Sequence, residues 1–294
     1  MAVPGQSDRG SPASETAATG VACVHLVQMD ISWEQPQANH ARAAALLAQA
    51  SLTPGDLILL PEMFATGFSF NVQTTADANG STLRFLLDLA ARTGCYVQGG
   101  RTVTTAVGAA AASRARNIMS VVGPKSGVDQ PEGILCEYTK MHLFQGEREK
   151  FEPGAHAAVW DWPATGLRVA PAICYDLRFP EVFGASLRLG AEMFAIGACW
   201  PSVRLAHWRA LNIARAIENQ AYVAAVNRVG DDPTNPGAPA AGALHYGGCS
   251  MVVSPMGEVL GEEWEKECVL SVKINAAAVR EWRGKFGAWR ERGG

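Results

Sequence analysis

The feature that most constrains this chain is a succession of short apolar runs alternating with helical segments, and the succession occurs twice. In the first pass, VACVHLVQMD (21–30) has the apolar density of a buried strand, and an alanine-rich segment over 37–50 has helical character. DLILL (56–60), after the turn signal Pro54-Gly55, reads as a second buried strand. A helix over 82–92 ends before Gly94, and CYVQGG and NIMSVVG (117–123) read as two more strands. The second pass gives LRVAPAIC (167–174) as strand, EVFGASLRLG as a helix closed by Gly190, and AEMFAI as strand. Leu205, Trp208, Leu211, Ala214 and Ile217 then recur at near-helical spacing, followed by the strands AYVAAV (221–226) and CSMVVS (249–254). Each half therefore runs strand, helix, strand, helix, strand, strand, a repeat of topology without repetition of sequence. Strands alternating with helices imply an α/β layered fold.

Around this core, residues 1–20 are polar and small and read as a disordered tail, without the apolar stretch of a secretory signal. Residues 21–294 are expected to form a single domain. DDPTNPGAPAAGAL (231–244) reads as a loop, and 276–292 as a helix with basic and aromatic residues. A net charge of −3 gives no reason to expect nucleic acid or an anionic membrane as partner. The seven cysteines are widely spaced and form no C-x-x-C pair, which predicts reduced thiols in a cytoplasmic protein. No H-E-x-x-H, G-x-S-x-G, Walker A or G-x-G-x-x-G pattern occurs, so metal, serine-nucleophile and nucleotide chemistry have no positive support.

Three residues at strand ends could carry chemistry. Glu62 directly follows the apolar run 57–60 and Pro61; it is either a loop acid or a general base in a partly dry setting. Lys140, in ILCEYTKMHLF, is flanked by Met141, Leu143 and Phe144. It either snorkels to water or stands as a fixed cation facing carboxylates or an oxyanion. Cys174 closes VAPAIC and opens CYDLRFPE, where Pro180 and Glu181 start the next helix. A cysteine there is a packed core thiol or a nucleophile whose thiolate the backbone N–H groups at the junction would stabilise. His142, His207 and His245 have no local signature of a nucleophile's partner and read as core or loop hydrogen-bonding groups.

Taken together, LPEMFATGF, YTKMHLF and ICYDLRFPE resemble the nitrilase superfamily of carbon–nitrogen hydrolases in content, order and separation. The resemblance continues through CWP (199–201), HWRALNIARAIENQAYVAAVNRVG (207–230), HYGGCSMVVSPMGEVL (245–260) and WRGKFGAW (282–289). Details such as PEMFATGFSFN and WRGKFGAW look closest to the ω-amidase branch, whose members hydrolyse short dicarboxylic monoamides such as 2-oxoglutaramate and 2-oxosuccinamate. The resemblance implies a four-layer α-β-β-α sandwich with pseudo-two-fold related halves, pairing across subunits into a homodimer or larger homo-oligomer. It implies a cofactor-free amidase with Cys174 as nucleophile, Glu62 as base and Lys140 as cation. Other carbon–nitrogen hydrolases (a nitrilase, an N-carbamoyl amino acid hydrolase, a deaminated-glutathione amidase) and a non-catalytic module on the same scaffold are the alternatives.

The family's second glutamate falls on Glu147, with Glu149 as competitor. For substrate contacts, Tyr175 would act through its backbone N–H and Trp200 as a pocket wall or a core residue. Arg178 would either hold a distal carboxylate or, the preferred reading, pair internally with Asp176, Glu181 or Glu218. Two residues depart from the family pattern: Arg101, where relatives usually carry a small polar residue, and Cys249, where Asp, His or Asn is frequent. Arg101 is the departure expected to alter the pocket.

Overall fold

The computed structural model describes residues 20–104, 114–124, 133–232 and 244–292. The first half contains β1 (Val21–Gln28), α1 (Pro36–Leu47), β2 (Leu57–Leu59), α2 (Val72–Thr75), α3 (Ser81–Thr93), β3 (Tyr96–Thr104), β4 (Ala115–Val122) and β5 (Ile134–Thr139). The second contains β6 (Trp160–Trp162), β7 (Leu167–Ile173), α4 (Pro180–Arg188), β8 (Met193–Ala198), α5 (Leu205–Asn219), β9 (Tyr222–Asn227), β10 (Val229–Asp232), β11 (Leu244–Val253) and β12 (Val259–Trp264). The chain closes with β13 (Cys268–Asn275), α6 (Ala276–Lys285) and α7 (Trp289–Arg292). Of the loop expected over 231–244, Asp231 and Asp232 belong instead to β10 and Leu244 to β11, where they pair; residues 233–243, and residues 1–19 of the expected tail 1–20, lie outside the described residues.

Two mixed sheets carry the fold. One runs β13-β1-β2-β3-β4-β5 and the other β10-β11-β9-β8-β7-β6, with β12 also on β11. In each sheet three parallel strands (β1, β2, β3 and β7, β8, β9) are linked through helices, and antiparallel strands extend the sheet beyond them. The topological repeat read from the sequence is thus a pseudo-two-fold: β1-α1-β2-α3-β3-β4 matches β7-α4-β8-α5-β9-β11.

Strand periodicity explains the layering. In β2, Leu57 and Leu59 enter the core between the sheets, while Ile58 and Leu60 face the layer under α1 and α3. In β8, Met193 and Ala195 enter the same central core, and Phe194, Ile196 and Ala198 face α4 and α5. A strand buried on both faces reads as a continuous apolar run, which is why these segments were legible. The result is the four-layer α-β-β-α sandwich.

The structure differs from the sequence reading at the C-terminus. The chain leaves the second sheet after β12 and crosses to the first, where β13 pairs antiparallel along the whole of β1, Val21 to Asn275 through Gln28 to Cys268. The segment 276–292 is two helices, broken at Phe286, whose N–H bonds Trp282 O at 2.9 Å. No helix among the described residues is long and apolar enough to cross a membrane.

Candidate active site

The carboxyl ends of β2 and β7 and the end of β5 converge where the two halves meet. Gly197 in β8 lets them close: a Cβ there would lie 3.1 Å from Leu60 O and 3.2 Å from Glu62 N. Gly100 in β3 permits a tighter approach, since a Cβ would stand 2.7 Å from Glu62 Cα and 2.6 Å from Met63 N. The small residues of both strands therefore set where Glu62 sits.

Glu62, Lys140 and Glu147 are fully buried and form one network. Lys140 Nζ donates to Glu62 Oε1 and to Glu147 Oε2, each at 2.7 Å. Asn117 Nδ2 bridges the same carboxylates, at 2.7 Å to Glu62 Oε1 and 3.0 Å to Glu147 Oε1. Backbone donors complete the set: Cys199 N–H reaches Glu62 Oε2 at 3.0 Å, and Phe144 N–H reaches Glu147 Oε2 at 2.7 Å. Burial works against the Lys140 ammonium, yet Glu147 and Glu62 outweigh it and hold it well above the usual lysine range. Burial pushes the Glu147 carboxyl up, opposed by Lys140. The snorkelling alternative for Lys140 is therefore excluded. Glu147, not Glu149, is the second glutamate of the cluster; Glu149 is exposed.

Cys174 follows β7 directly and begins a short 3₁₀ turn over Cys174–Arg178, with φ +44°. A non-glycine residue in this left-handed region stores backbone strain, a condition concentrated at functional sites. Asp176 clamps the turn by accepting from Ile173 N at 3.2 Å, His142 N at 2.9 Å and Tyr138 OH at 2.8 Å. The thiol lies 3.9 Å from Cys199 O, and the N–H of the same Cys199 is bonded to Glu62 Oε2 at 3.0 Å, so the thiol and the carboxylate share one corner of the site. Burial, then Glu62, push the thiol well above the usual thiol range, and Lys140 only partly offsets them. Burial and Glu62 thus favour the protonated thiol, against the stabilisation of the thiolate expected from Lys140 and the backbone N–H groups.

Cys174 opens onto a cavity of ≈ 230 Å³ whose walls include Phe68, Phe144, Tyr175, Trp200, Leu244 and Tyr246. Trp200 is a wall residue and core-packed at once. Its indole N–H donates to Arg204 O at 2.8 Å, and its ring packs on Trp208 with centroids 5.5 Å apart. Tyr175 lines the cavity and meets Phe144 and Phe179 edge-on.

Arg178 does not make the internal ion pair preferred from the sequence. Asp176 is engaged as described, Glu181 faces His142 at 3.8 Å, and Glu218 bonds Arg215 at 2.9 Å. The Arg178 guanidinium instead stacks 4.8 Å from the Trp200 ring centroid and lies 3.4 Å from His207 Nδ1, at the cavity wall.

Arg101 does not reach the cavity. It is buried elsewhere against Ser120 Oγ at 2.8 Å, Asp77 at 3.3 Å and Glu137 at 2.6 Å. Cys249 also lies outside it, at a β-bulge with φ +62°, its thiol 3.2 Å from Glu262 Oε1. Of the histidines, His142 stacks on Phe179 at 3.7 Å and His245 pairs with Asp231 at 2.8 Å; neither touches Cys174.

Sequence reasoning missed Asn117, the Cys199 N–H and Arg204. A polar amide opening the apolar strand NIMSVVG was the available signal for Asn117, because a buried amide must find partners. Among the described residues, no group of three or more His, Cys, Asp or Glu side chains is arranged to hold a metal.

A cysteine, a glutamate and a lysine gather at the junction of the two α/β halves of a four-layer sandwich of the carbon–nitrogen hydrolase type. The profile of the carbon–nitrogen hydrolase family matches residues 23–284, and the chain belongs to that family. It is 33% identical to the ω-amidase YafV of Yersinia enterocolitica over 269 residues, 90% of this chain and 94% of that one. It is equally 33% identical to the 2-oxoglutaramate amidase of Bacillus subtilis, covering 88% and 93%. The crystal structure of XC1258 from Xanthomonas campestris, a superfamily member with an arsenic adduct in its active site, superposes with a TM-score of 0.78. That match has 33% identity and covers 92% of this chain and 97% of that one.

Proposed function

We propose that the protein is an ω-amidase that hydrolyses 2-oxoglutaramate- or 2-oxosuccinamate-type monoamides to the dicarboxylate and ammonia through a thioester on Cys174. The observation that carries this reading is the gathering of the three groups around Cys199: its carbonyl lies 3.9 Å from the Cys174 thiol, its N–H bonds Glu62 Oε2 at 3.0 Å, and Lys140 Nζ fixes Glu62 Oε1 at 2.7 Å. Burial favours the protonated thiol, and Glu62 removes its proton as Sγ attacks the amide carbonyl. Lys140 and the Tyr175 N–H, in the first turn of its short helix and so without an intrahelical partner, stabilise the oxyanion. Glu62 returns the proton to the departing ammonia, then takes one from the water that cleaves the thioester. Glu147 and Asn117 hold Lys140 and Glu62 in register throughout.

The names of the YafV and 2-oxoglutaramate amidase relatives support the substrate class. Arg178, free of any described carboxylate, supplies the guanidinium that a distal carboxylate requires. The chemistry needs no cofactor, and the net charge of −3 favours neither nucleic acid nor membrane. The family resemblance supports a cytoplasmic homodimer or larger homo-oligomer.

Ammonia release is the test, measured with 2-oxoglutaramate, 2-oxosuccinamate, glutamine, a carbamoyl amino acid and a simple nitrile. The two 2-oxo amides are expected to give the highest kcat/KM, and Cys174→Ala to lose at least about 10⁴-fold with the fold intact. Preference for the nitrile or the carbamoyl compound would reassign the substrate, and wild-type turnover by Cys174→Ala would remove the mechanism.

A further inference from the structure

We infer that Arg204 is a second anion-reading group of this pocket, acting with Arg178 on the far end of the substrate. The inference rests on the proposed dicarboxylic monoamide substrate and deepens it.

After β8 the chain turns through Trp200 and Pro201 into a single 3₁₀ turn, Ser202–Arg204, that leads into α5. The turn is pinned at both ends. Arg204 N–H donates to Pro201 O at 3.0 Å, Arg204 O accepts the Trp200 indole N–H at 2.8 Å, and the next residue, Leu205, is buried. The Arg204 backbone is therefore tied to the pocket wall, and its side chain lines the same cavity as Cys174 and Arg178. Its guanidinium stands 5.7 Å from the Phe144 ring centroid, as that of Arg178 stands 4.8 Å from Trp200.

The two arginines differ from those around them. Arg101 pairs with Asp77 and Glu137, Arg209 with Glu262, Arg215 with Glu218, Arg228 with Asp232, and Arg280 with Glu192. Neither Arg178 nor Arg204 pairs with any described carboxylate, and among the described residues no acidic side chain lines the cavity. Segment 233–243, which precedes the lining residue Leu244, contains no charged residue in its sequence. Two uncompensated guanidiniums on aromatic shelves thus share a cavity of only ≈ 230 Å³. Stacking leaves in-plane N–H donors on each able to bond, with only one Arg178 nitrogen near His207 Nδ1.

A 2-oxo acid presents three acceptor oxygens along one edge, two on the carboxylate and one on the adjacent carbonyl. One guanidinium satisfies at most two of these in a parallel pair, and a second completes the set. With the amide carbon at Cys174, the small cavity selects a short chain and the arginine pair selects its anionic end. Arg204 is a specificity determinant in this account and takes no part in bond making.

The test is the preference for acid over neutral amide: kcat/KM for 2-oxoglutaramate divided by kcat/KM for pentanamide, in wild type, Arg204→Met and Arg204→Lys. Methionine keeps an apolar stem over Phe144 and removes the charge. The ratio is expected to fall roughly 10- to 100-fold in Arg204→Met, mainly through KM, the span of one lost charge-assisted hydrogen-bonding group. Arg204→Lys is expected to restore part of it. A ratio within twofold of wild type, even if both rates fall, overturns the inference and assigns Arg204 a structural role. Wild-type enzyme without preference for the acid overturns the substrate class, and this inference with it.

Discussion

The two halves of the sandwich share a topology and divide the chemistry. The first half contributes Glu62, Lys140, Glu147 and Asn117, all fully buried and bonded to one another. The second contributes Cys174, Tyr175, Trp200, Arg178 and Arg204, which face a cavity. In the proposed mechanism one half is a dry proton-handling cluster, and the other presents the nucleophile and the groups that read the substrate. A charged cluster can be fully buried only where every charge has partners, so it is built on strand ends and a clamped turn. Substrate recognition needs open donors, and the unpaired arginines lie in the other half.

Removing the cation from the dry half is the most damaging way to probe this division. Lys140→Met leaves Glu62 and Glu147 facing each other without compensation. It is expected to cost about 3–5 kcal/mol of stability, the range for breaking a buried ion pair, and to abolish turnover. Denaturant unfolding and ammonia release check the two effects; a variant as stable as wild type would mean that the carboxylates are not ionised together.

The pH profile sharpens the comparison with a smaller effect. Burial raises the Glu147 carboxyl despite Lys140, so this group takes up a proton at higher pH than an exposed glutamate does. As pH falls through that raised value, Glu147 becomes neutral and loosens its hold on Lys140. The acid limb of kcat/KM is therefore expected above the ordinary glutamate value of about 4.3. A limb at or below that value would contradict a role for Glu147.

The smallest effect is expected at Arg101. It lies in the first half but its bonds to Asp77, Glu137 and Ser120 point away from the cavity. Arg101→Ser is expected to lower thermal stability while leaving kcat/KM within about threefold of wild type, since effects on distant, independent sites seldom couple. A tenfold loss of kcat/KM in folded protein would place Arg101 in the substrate pathway after all.

Much of this was legible in the sequence because it was local. Buried parallel strands announce themselves as apolar runs, and Glu62, Lys140 and Cys174 stood at the ends of such runs. What stayed hidden depends on partners far along the chain. β13 reads as LSVKIN with alternating polar residues, and nothing local says that it pairs with β1, some 250 positions earlier. Its polar positions Ser271, Lys273 and Asn275 are exposed on a sheet-edge strand, so the apolar signal is weak. Arg178 was misjudged for the same reason: three acids near it in sequence or on the next helices invited an ion pair, but each was already engaged by Tyr138, His142 or Arg215. Arg204 carried no signal at all, because the role inferred for it rests on having no acidic partner among the described residues.

The central claim is that the thiol of the second half becomes covalently acylated under the control of the first half's carboxylate. Wild-type enzyme quenched in acid during steady-state turnover of 2-oxoglutaramate, then digested and mapped by mass spectrometry, tests it directly. The account predicts an adduct with the mass of the substrate less ammonia on the peptide containing Cys174, and on no other cysteine. An adduct on Cys199 or Cys249, or full turnover in Cys174→Ala, would contradict it.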